Sequence, residues 1–254
     1  MRSVVILPTY QEAENIAPVL RRARGATQSD LLVVDDASPD GTGDLALATG
    51  AEVGGVHLVR RPAKAGLGSA YVAGFTWALE RGYEAVVEMD ADLSHDPGDI
   101  PRLLATLEAG YDLVIGSRYV PGGSLPDWAP HRLALSRLGN LYARRALALG
   151  IMDATSGFRA YRSSLLGELD LGSVQADGYG FQVEMAYRAR QTGARIAEVP
   201  ICFMERCRGA SKMSGTIVAE AMMLVTWWGI RHRLGPRRPA RPRSAPARLG
   251  PKVG

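Results

Sequence analysis

Five short apolar runs limit what this chain can fold into. They are Val4-Val5-Ile6-Leu7, Leu31-Leu32-Val33-Val34, Val56-His57-Leu58-Val59, Ala85-Val86-Val87-Glu88-Met89 and Leu113-Val114-Ile115. Each is too short for a helix, and they are separated by amphipathic stretches near 13–24, 43–49, 68–81 and 100–109. Strands that read as continuous apolar runs are buried on both faces, and alternation with helices makes the sheet mostly parallel. The expected fold class is therefore α/β, a single Rossmann-like domain around a mostly parallel central sheet. In such sheets ligands bind beyond the carboxyl ends of the strands. The polar clusters Thr9-Tyr10-Gln11-Glu12, Asp35-Asp36 and Asp90-Ala91-Asp92 all follow strands directly, which predicts one site along one sheet edge.

The second half is less regular. A Gly/Pro loop over 119–130 leads to a basic helix over 131–149 and a turn at Thr155-Ser156-Gly157. A helix over 181–192, a strand over 196–203 and a last helix over 216–234 are expected to follow. The formal net charge of +4 is uneven. The last acidic residue is Glu220, and Arg231, Arg233, Arg237, Arg238, Arg241, Arg243, Arg248 and Lys252 lie beyond it. Without those eight, 22 basic residues face 26 acidic ones, so the body is acidic and no nucleic-acid surface is expected. Residues 236–254 hold five prolines among arginines and alanines without apolar periodicity, and read as a disordered arm, either a solvated terminus without a role or one attracted to anionic lipid.

The two cysteines, Cys202 and Cys207, make no disulfide framework, which suggests a reducing compartment. A strand opening at Ser3 leaves no room for a charged-then-apolar leader, and no run approaches the roughly 20 apolar residues of a spanning helix. A cytoplasmic protein is expected.

Asp90 and Asp92 stand at the end of an expected strand, where residues i and i+2 point to one side. Paired carboxylates there suit Mg²⁺ or Mn²⁺, which fills its remaining positions with water and phosphates. Helix capping of the segment opening at Asp96-Pro97 is the competing role. Asp35 and Asp36 can accept hydrogen bonds from a nucleobase or ribose, whereas Asp40 reads as a helix cap. Lys64-Ala65-Gly66-Leu67-Gly68 lacks the ending of a phosphate loop and reads as close-packing glycines at a helix start. Arg118, Arg132, Arg206, Arg208 and Lys212 follow the acidic strand end and together suit a polyphosphate, because guanidinium pairs bidentately with phosphate. The four histidines show no metal spacing and no Gly-X-Ser-X-Gly elbow is present, so zinc and hydrolase chemistry are poorly supported.

Taken together, Leu7-Pro8-Thr9-Tyr10-Gln11-Glu12, Val33 through Thr42 and Met89-Asp90-Ala91-Asp92-Leu93-Ser94-His95 resemble the hallmark segments of GT-A glycosyltransferases of family 2. The similarity is to the dolichyl- or polyprenyl-phosphate mannose synthases. It continues through Gly116-Ser117-Arg118-Tyr119, Ser156-Gly157-Phe158-Arg159, Gly178 through Glu184, Glu198-Val199-Pro200, Arg206 and Ser211-Lys212. The resemblance implies inverting transfer of mannose from GDP-mannose to a polyprenyl monophosphate. By the same resemblance Pro8, Tyr10, Glu12, Val34 and Asp36 hold the nucleotide, and Asp90, Ala91 and Asp92 hold the donor and its Mg²⁺ or Mn²⁺. Arg118 and Arg132 receive the lipid phosphate, and Gln182, Arg206 and Lys212 line the donor phosphate and acceptor region. Asp92, Arg118 and Arg132 are the expected catalytic residues. Asp92→Ala or Arg118→Ala is expected to lower turnover with little unfolding. Two departures from the family pattern are Gln11, where Asn is usual, and Ser94, where some members place a metal-binding Gln.

The alternatives are another sugar nucleotide such as UDP-glucose on the same acceptor, a sugar-nucleotide nucleotidyltransferase, or a binding module without turnover. The expected organisation is a catalytic domain over 1–215, an amphipathic interfacial helix over 216–235 and the tail over 236–254. Ile217, Val218, Ala221, Met222, Leu224, Val225 and Trp228 form the helix stripe, widened by Met223, Trp227 and Ile230. The stripe suits either lipid contact or packing on the domain. The expected partners are the polyprenyl phosphate lipid, the cytoplasmic membrane surface and an integral membrane protein.

Overall fold

A computed structural model describes residues 1–174, 176, 178–205 and 215–234. The chain runs β1 (Ser3–Thr9), α1 (Ala13–Ala26), β2 (Asp30–Asp35), α2 (Thr42–Val53), β3 (Val56–Arg60), α3 (Leu67–Glu80) and β4 (Ala85–Glu88). It continues with α4 (Ile100–Glu108), β5 (Leu113–Ser117), α5 (Pro130–Ala146), β6 (Arg159–Arg162), α6 (Ser163–Glu168), α7 (Gly178–Gln191), β7 (Ile196–Pro200) and α8 (Gly215–Leu234). One seven-stranded sheet has the order β3-β2-β1-β4-β6-β5-β7.

All five apolar runs form strands, and the sheet is parallel except at β6, which pairs antiparallel with both β4 and β5. Successive side chains of each strand go to opposite faces. Val4, Ile6, Leu32, Val34 and Val86 enter the layer beneath α3 and α7, while Val5, Leu7, Leu31, Val33 and Val87 meet α1 and α4. Gly74 lets α3 lie directly on β1, since a Cβ there would sit 2.7 Å from Ile6 Cγ2.

Three points differ from what the sequence led one to expect. The strand expected over 85–89 ends at Glu88, so Asp90 and Asp92 lie in the turn beyond it, and strand alternation does not set their directions. The strand expected over 196–203 is regular over Ile196–Pro200, and its pairing continues more loosely, with Ile201 N donating to the Ser117 carbonyl and Cys202 bridging Ser124. The antiparallel β6 and the short α6 had no counterpart in the sequence reading. Because β6 runs backwards, its start at Arg159 and the preceding loop join the carboxyl ends of β4 and β5 at the same edge.

The last helix spans Gly215–Leu234. Val225 is buried and Trp228 stacks on Tyr187 of α7 at 6.3 Å, whereas Trp227 is exposed. The two adjacent tryptophans therefore face different surroundings, and the helix both packs on the domain and shows an apolar face. The side chains of Ile217, Val218 and Ala221, and the segment 236–254, lie outside the described residues.

Candidate active site

At the ends of β1 and β2, Asp35 is buried and internally satisfied. It accepts from Thr9 Oγ1 at 2.9 Å, Ser38 Oγ at 2.6 Å and Ser38 N at 3.1 Å. Asp36 accepts from Arg61 Nη1 at 2.8 Å and from the Ala65 backbone at 3.0 Å, which ties the 61–65 loop to the sheet edge. Lys64 Nζ lies 4.2 Å from the centre of the Tyr10 ring. Glu12 accepts from Asn15 Nδ2 at 2.8 Å, and its backbone N–H donates to Thr42 Oγ1 at 3.0 Å. Asp40 accepts from Thr42 Oγ1, Thr42 N and Ala13 N, so it joins the starts of α1 and α2. Partial burial pushes its carboxyl up, but these bonds outweigh that and hold it below the ordinary value.

Backbone strain gathers along this edge. Only four non-glycine residues among those described have positive φ, and three of them are Gln11 at 58°, Ala37 at 54° and Leu93 at 65°. They stand just past the ends of β1, β2 and β4, in the turns that carry the polar clusters. An L-residue in this conformation costs about 1–2 kcal/mol, and Asn tolerates it better than Gln. Gln11→Asn should therefore raise stability by about 0.5–1 kcal/mol and the melting temperature by roughly 2–4 °C. Thermal unfolding measures this, and an unchanged or lower midpoint would mean that the Gln11 side chain stabilises the turn.

Beyond β4, Asp92 is buried and accepts from Ser94 Oγ at 2.5 Å and Ser94 N at 3.1 Å, both at Oδ1. The Ser94 hydroxyl is thus used in orienting Asp92. The Asp90 carboxylate accepts from Tyr71 OH at 3.3 Å, and the Asp90 backbone N–H donates to His95 Nδ1 at 3.2 Å. Burial first, then the neighbouring Asp90 and Glu88 charges, keep the Tyr71 hydroxyl protonated well above its usual range. His95 is clamped between Phe158 at 5.0 Å and Phe203 at 5.3 Å. Its part in shaping the Asp90 turn was not read from the sequence, although its place in Asp92-Leu93-Ser94-His95 was a signal. Ala91 is packed in the core between the two carboxylates.

No group of three or more Asp, Glu, His or Cys side chains gathers as a metal cage among the described residues. Two carboxylates that leave the rest of a coordination shell to water and phosphate form a donor set that fits Mg²⁺ or Mn²⁺, not a structural zinc.

Arg118 follows β5 but does not point its whole fork outward. Its Nε and Nη2 donate to Asp153 Oδ2 and Oδ1 at 2.7 Å each, its backbone N–H to Oδ2 at 3.0 Å, and Nη2 also to Thr155 Oγ1 at 2.8 Å. Both side chains are buried. The Asp153 loop is fixed in turn. Glu198 of β7 accepts from Met152 N and Asp153 N at 2.6 and 2.9 Å, and Asn140 of α5 accepts from Ala154 N at 2.8 Å. Burial would raise the Asp153 carboxyl, but Arg118 outweighs it and holds the group below its ordinary value. Arg118→Ala is therefore a folding variant as well as a chemical one, which corrects the expectation of little unfolding. Arg132, in the first turn of α5, pairs with Glu205 at 2.8 Å and lies 4.0 Å from the Trp128 ring centre.

Under the site, Glu88 is fully buried and stands opposite Arg159 in the β4–β6 ladder. Arg159 spends its guanidinium on the Ser156, Gln182 and Ala154 carbonyls, each at 2.7 Å. The side chains that face the Glu88 carboxyl as hydrogen-bonding neighbours are the Gln182 amide and the Tyr161 hydroxyl. A Cβ on Gly157 would lie 3.6 Å from both Asp90 oxygens and 3.7 Å from Gln182 Nε2, so Gln182 borders the Asp90 turn.

Burial drives the Glu88 carboxyl up to about 8 against the opposing pull of Arg159, with the Asp90 charge adding to the rise. The folded chain then keeps a proton that the unfolded chain releases, so stability falls as pH rises from the ordinary carboxyl range towards 8. The slope is at most about 1.4 kcal/mol per pH unit. Glu88→Gln should flatten that decline in urea titrations run across the window. An unchanged slope would mean that Glu88 is ionised against Arg159.

The structure thus sets Pro8 at the end of β1, Tyr10, Glu12, Asp36, Asp90, Asp92 and Arg118 in the segments that follow β1, β2, β4 and β5, and Arg132 in the first turn of α5, with Gln182 bordering the Asp90 turn. The Val34 side chain points into the core, which leaves its backbone as the part able to reach a ligand. Arg206, Arg208 and Lys212 lie outside the described residues.

A family model described as Glycosyl transferase family 2 matches residues 4–170. The chain is 53% identical over 234 residues to the undecaprenyl-phosphate mannosyltransferase of Micrococcus luteus, covering 92% of this chain and 96% of that protein. It is 52% identical over 236 residues to the polyprenol monophosphomannose synthase of Mycolicibacterium smegmatis, covering 92% and 89%. Among solved structures, the glucosyl-3-phosphoglycerate synthase of Mycobacterium tuberculosis, in complex with Mn²⁺, UDP and glucosyl-3-phosphoglycerate, superposes with a TM-score of 0.64. That likeness covers 92% of this chain and 80% of that one at 22% identity, and it concerns the fold.

Proposed function

Because the chain belongs to glycosyl transferase family 2, we propose that it transfers mannose from GDP-mannose to a polyprenyl monophosphate. The products are polyprenyl phosphate mannose and GDP, with inversion at the anomeric carbon. The observation that carries this reading is 53% identity across nearly the whole length of a mannosyltransferase named for that lipid class. The geometry supports it, since a carboxylate pair follows β4, Arg118 follows β5 and Arg132 opens the next helix, α5.

An oxygen of the acceptor phosphate attacks the anomeric carbon, and the bond from that carbon to the GDP oxygen breaks. A phosphate monoester has its second ionisation near about pH 6, so at neutral pH the nucleophile needs no protein base. The work of the chain is to hold and screen. Pro8, Tyr10, Glu12, Asp36 and the Val34 backbone hold the nucleotide. Asp90 and Asp92, with Ala91 between them, bind the donor end and would hold Mg²⁺ or Mn²⁺. When bound, such a cation neutralises charge on the diphosphate leaving group. Arg118 acts as a fixed positive charge and Arg132 as a more exposed one for the acceptor phosphate, with Gln182, Arg206 and Lys212 completing the lining. Catalysis belongs to the part of the chain before helix α8 (Gly215–Leu234), with the basic segment over 236–254 beyond it. No helix among the described residues is long and apolar enough to cross a membrane. The reading therefore sets the enzyme at the cytoplasmic membrane surface, where its lipid lies.

The test is transfer of radiolabelled mannose from GDP-mannose into an organic-extractable product, with polyprenyl phosphate in detergent and Mg²⁺ or Mn²⁺. Label in the lipid phase that disappears with EDTA is the expected result. Equal transfer from UDP-glucose would overturn the donor assignment, and no label from folded protein would overturn the reaction.

A further inference from the structure

Strand alternation does not reach Asp90 or Asp92, so their directions are set by something else. The Met89 N–H still donates to the Ile6 carbonyl of β1 at 3.1 Å, but the next one, that of Asp90, donates to His95 Nδ1 at 3.2 Å. The imidazole thus stands where a strand neighbour would, and it closes residues 90–95 into a loop. Leu93, with a φ of 65°, turns the chain back so that the ring can reach. Because Nδ1 accepts, the ring proton sits on Nε2.

The ring is itself held from two places distant in sequence. His95 is buried, Phe158 ahead of β6 stacks on it with the planes 25° apart, and Phe203 beyond β7 meets it edge-on at 72°. The Ser94 carbonyl also accepts from Met204 N at 3.1 Å, which ties the segment after β7 to the same loop. The two carboxylates are anchored differently. Ser94 donates twice to Asp92 Oδ1, whereas the Asp90 carboxylate accepts from Tyr71 OH at 3.3 Å, long for a bond between oxygens. The backbone bond to His95 therefore fixes the point from which the Asp90 carboxylate projects.

We propose that His95 is a positioning residue for the donor's cation: by accepting the Asp90 N–H, its Nδ1 sets the spacing of the Asp90 and Asp92 carboxylates. This deepens the reading of that pair as ligands of Mg²⁺ or Mn²⁺ and rests on it. His95 acts through Asp90, as outer groups that orient ligating residues do.

The probe is Mn²⁺, titrated into the full chain with GDP present and followed by electron paramagnetic resonance. Wild type is compared with His95→Phe and His95→Asn. Phe keeps a ring between Phe158 and Phe203 but offers no acceptor. Asn loses the ring and can place an oxygen on Cγ, the carbon that carries Nδ1 in His. His95→Phe should weaken Mn²⁺ binding about tenfold or more, and His95→Asn should stay within about threefold of wild type. A ring that only packs gives the opposite order, and that order or two equal losses overturns the proposal. Amide hydrogen exchange reads the same bond without metal. Asp90 N–H protection should be present in wild type, fall in His95→Phe and persist in His95→Asn. Fast exchange at Asp90 in wild type overturns the proposal even where neither variant folds. Wild type that binds no Mn²⁺ overturns the ligand reading and the proposal with it, whereas equal Mn²⁺ binding by wild type and His95→Phe overturns the role of His95 alone.

Discussion

Arg118→Ala should destabilise the protein by about 3–5 kcal/mol, because it leaves the fully buried Asp153 carboxylate without its counter-charge. The pair accepts and donates in a closed arrangement of a bidentate fork plus the Arg118 backbone N–H. Asp153 sits on a loop pinned by Glu198 and Asn140, which gives it little freedom to turn towards water. Urea unfolding measures the loss, and a single variant within about 1 kcal/mol of wild type would sink the argument. Replacing both partners by apolar residues, Arg118→Met with Asp153→Leu, should recover most of the stability and none of the transfer. The sign with pH is also set. Asp153 is held below its ordinary value, so the pair contributes fully above the unfolded carboxyl pKa and is lost as pH falls through the lowered folded one. The gap between wild type and Arg118→Ala should therefore narrow at acid pH.

Asp92→Asn should lower transfer by about a hundredfold or more with a stability change of about 1 kcal/mol or less. Asn keeps the shape and an acceptor oxygen for Ser94 N and Oγ, so the turn is preserved while the negative charge is removed. The Asp92 hydrogen bonds to Ser94 are local, unlike those that tie Arg118 to Asp153, so the two effects can be read separately. Near-normal turnover in the folded variant would remove Asp92 from the mechanism. Unfolding of the variant would instead make its charge structural.

The five apolar runs were legible because strands buried on both sides need no polar alternation, and all five are found. Strand β6 was not. Arg159-Ala160-Tyr161-Arg162 begins and ends on residues that sequence reasoning assigns to solvent, yet Arg159 is wholly buried with its guanidinium spent on three carbonyls. The carboxylate pair was legible as chemistry but not as geometry, since β4 ends at Glu88 and strand alternation does not reach Asp90 or Asp92. Arg118 was legible as a cation at the right strand end. Its partner lies 35 positions later, and only the fold brings them together. Helix α8 is apolar around much of its circumference, so spacing alone could not divide the domain side, with Val225 and Trp228, from the outer side.

The backward strand also bears on how the chain is made. Strands β1 to β4 are complete by residue 88 and pair with one another in unbroken order, β3-β2-β1-β4. Strand β5 is different, because both of its neighbours, β6 and β7, come later in the chain. While residues 118–158 emerge from the ribosome, Leu113-Val114-Ile115 has no partner on either edge. Unpaired apolar strands of this kind are open to pairing with other chains. Synthesis of this protein therefore passes through an interval of aggregation risk that closes only when Arg159 and then Ile196 arrive.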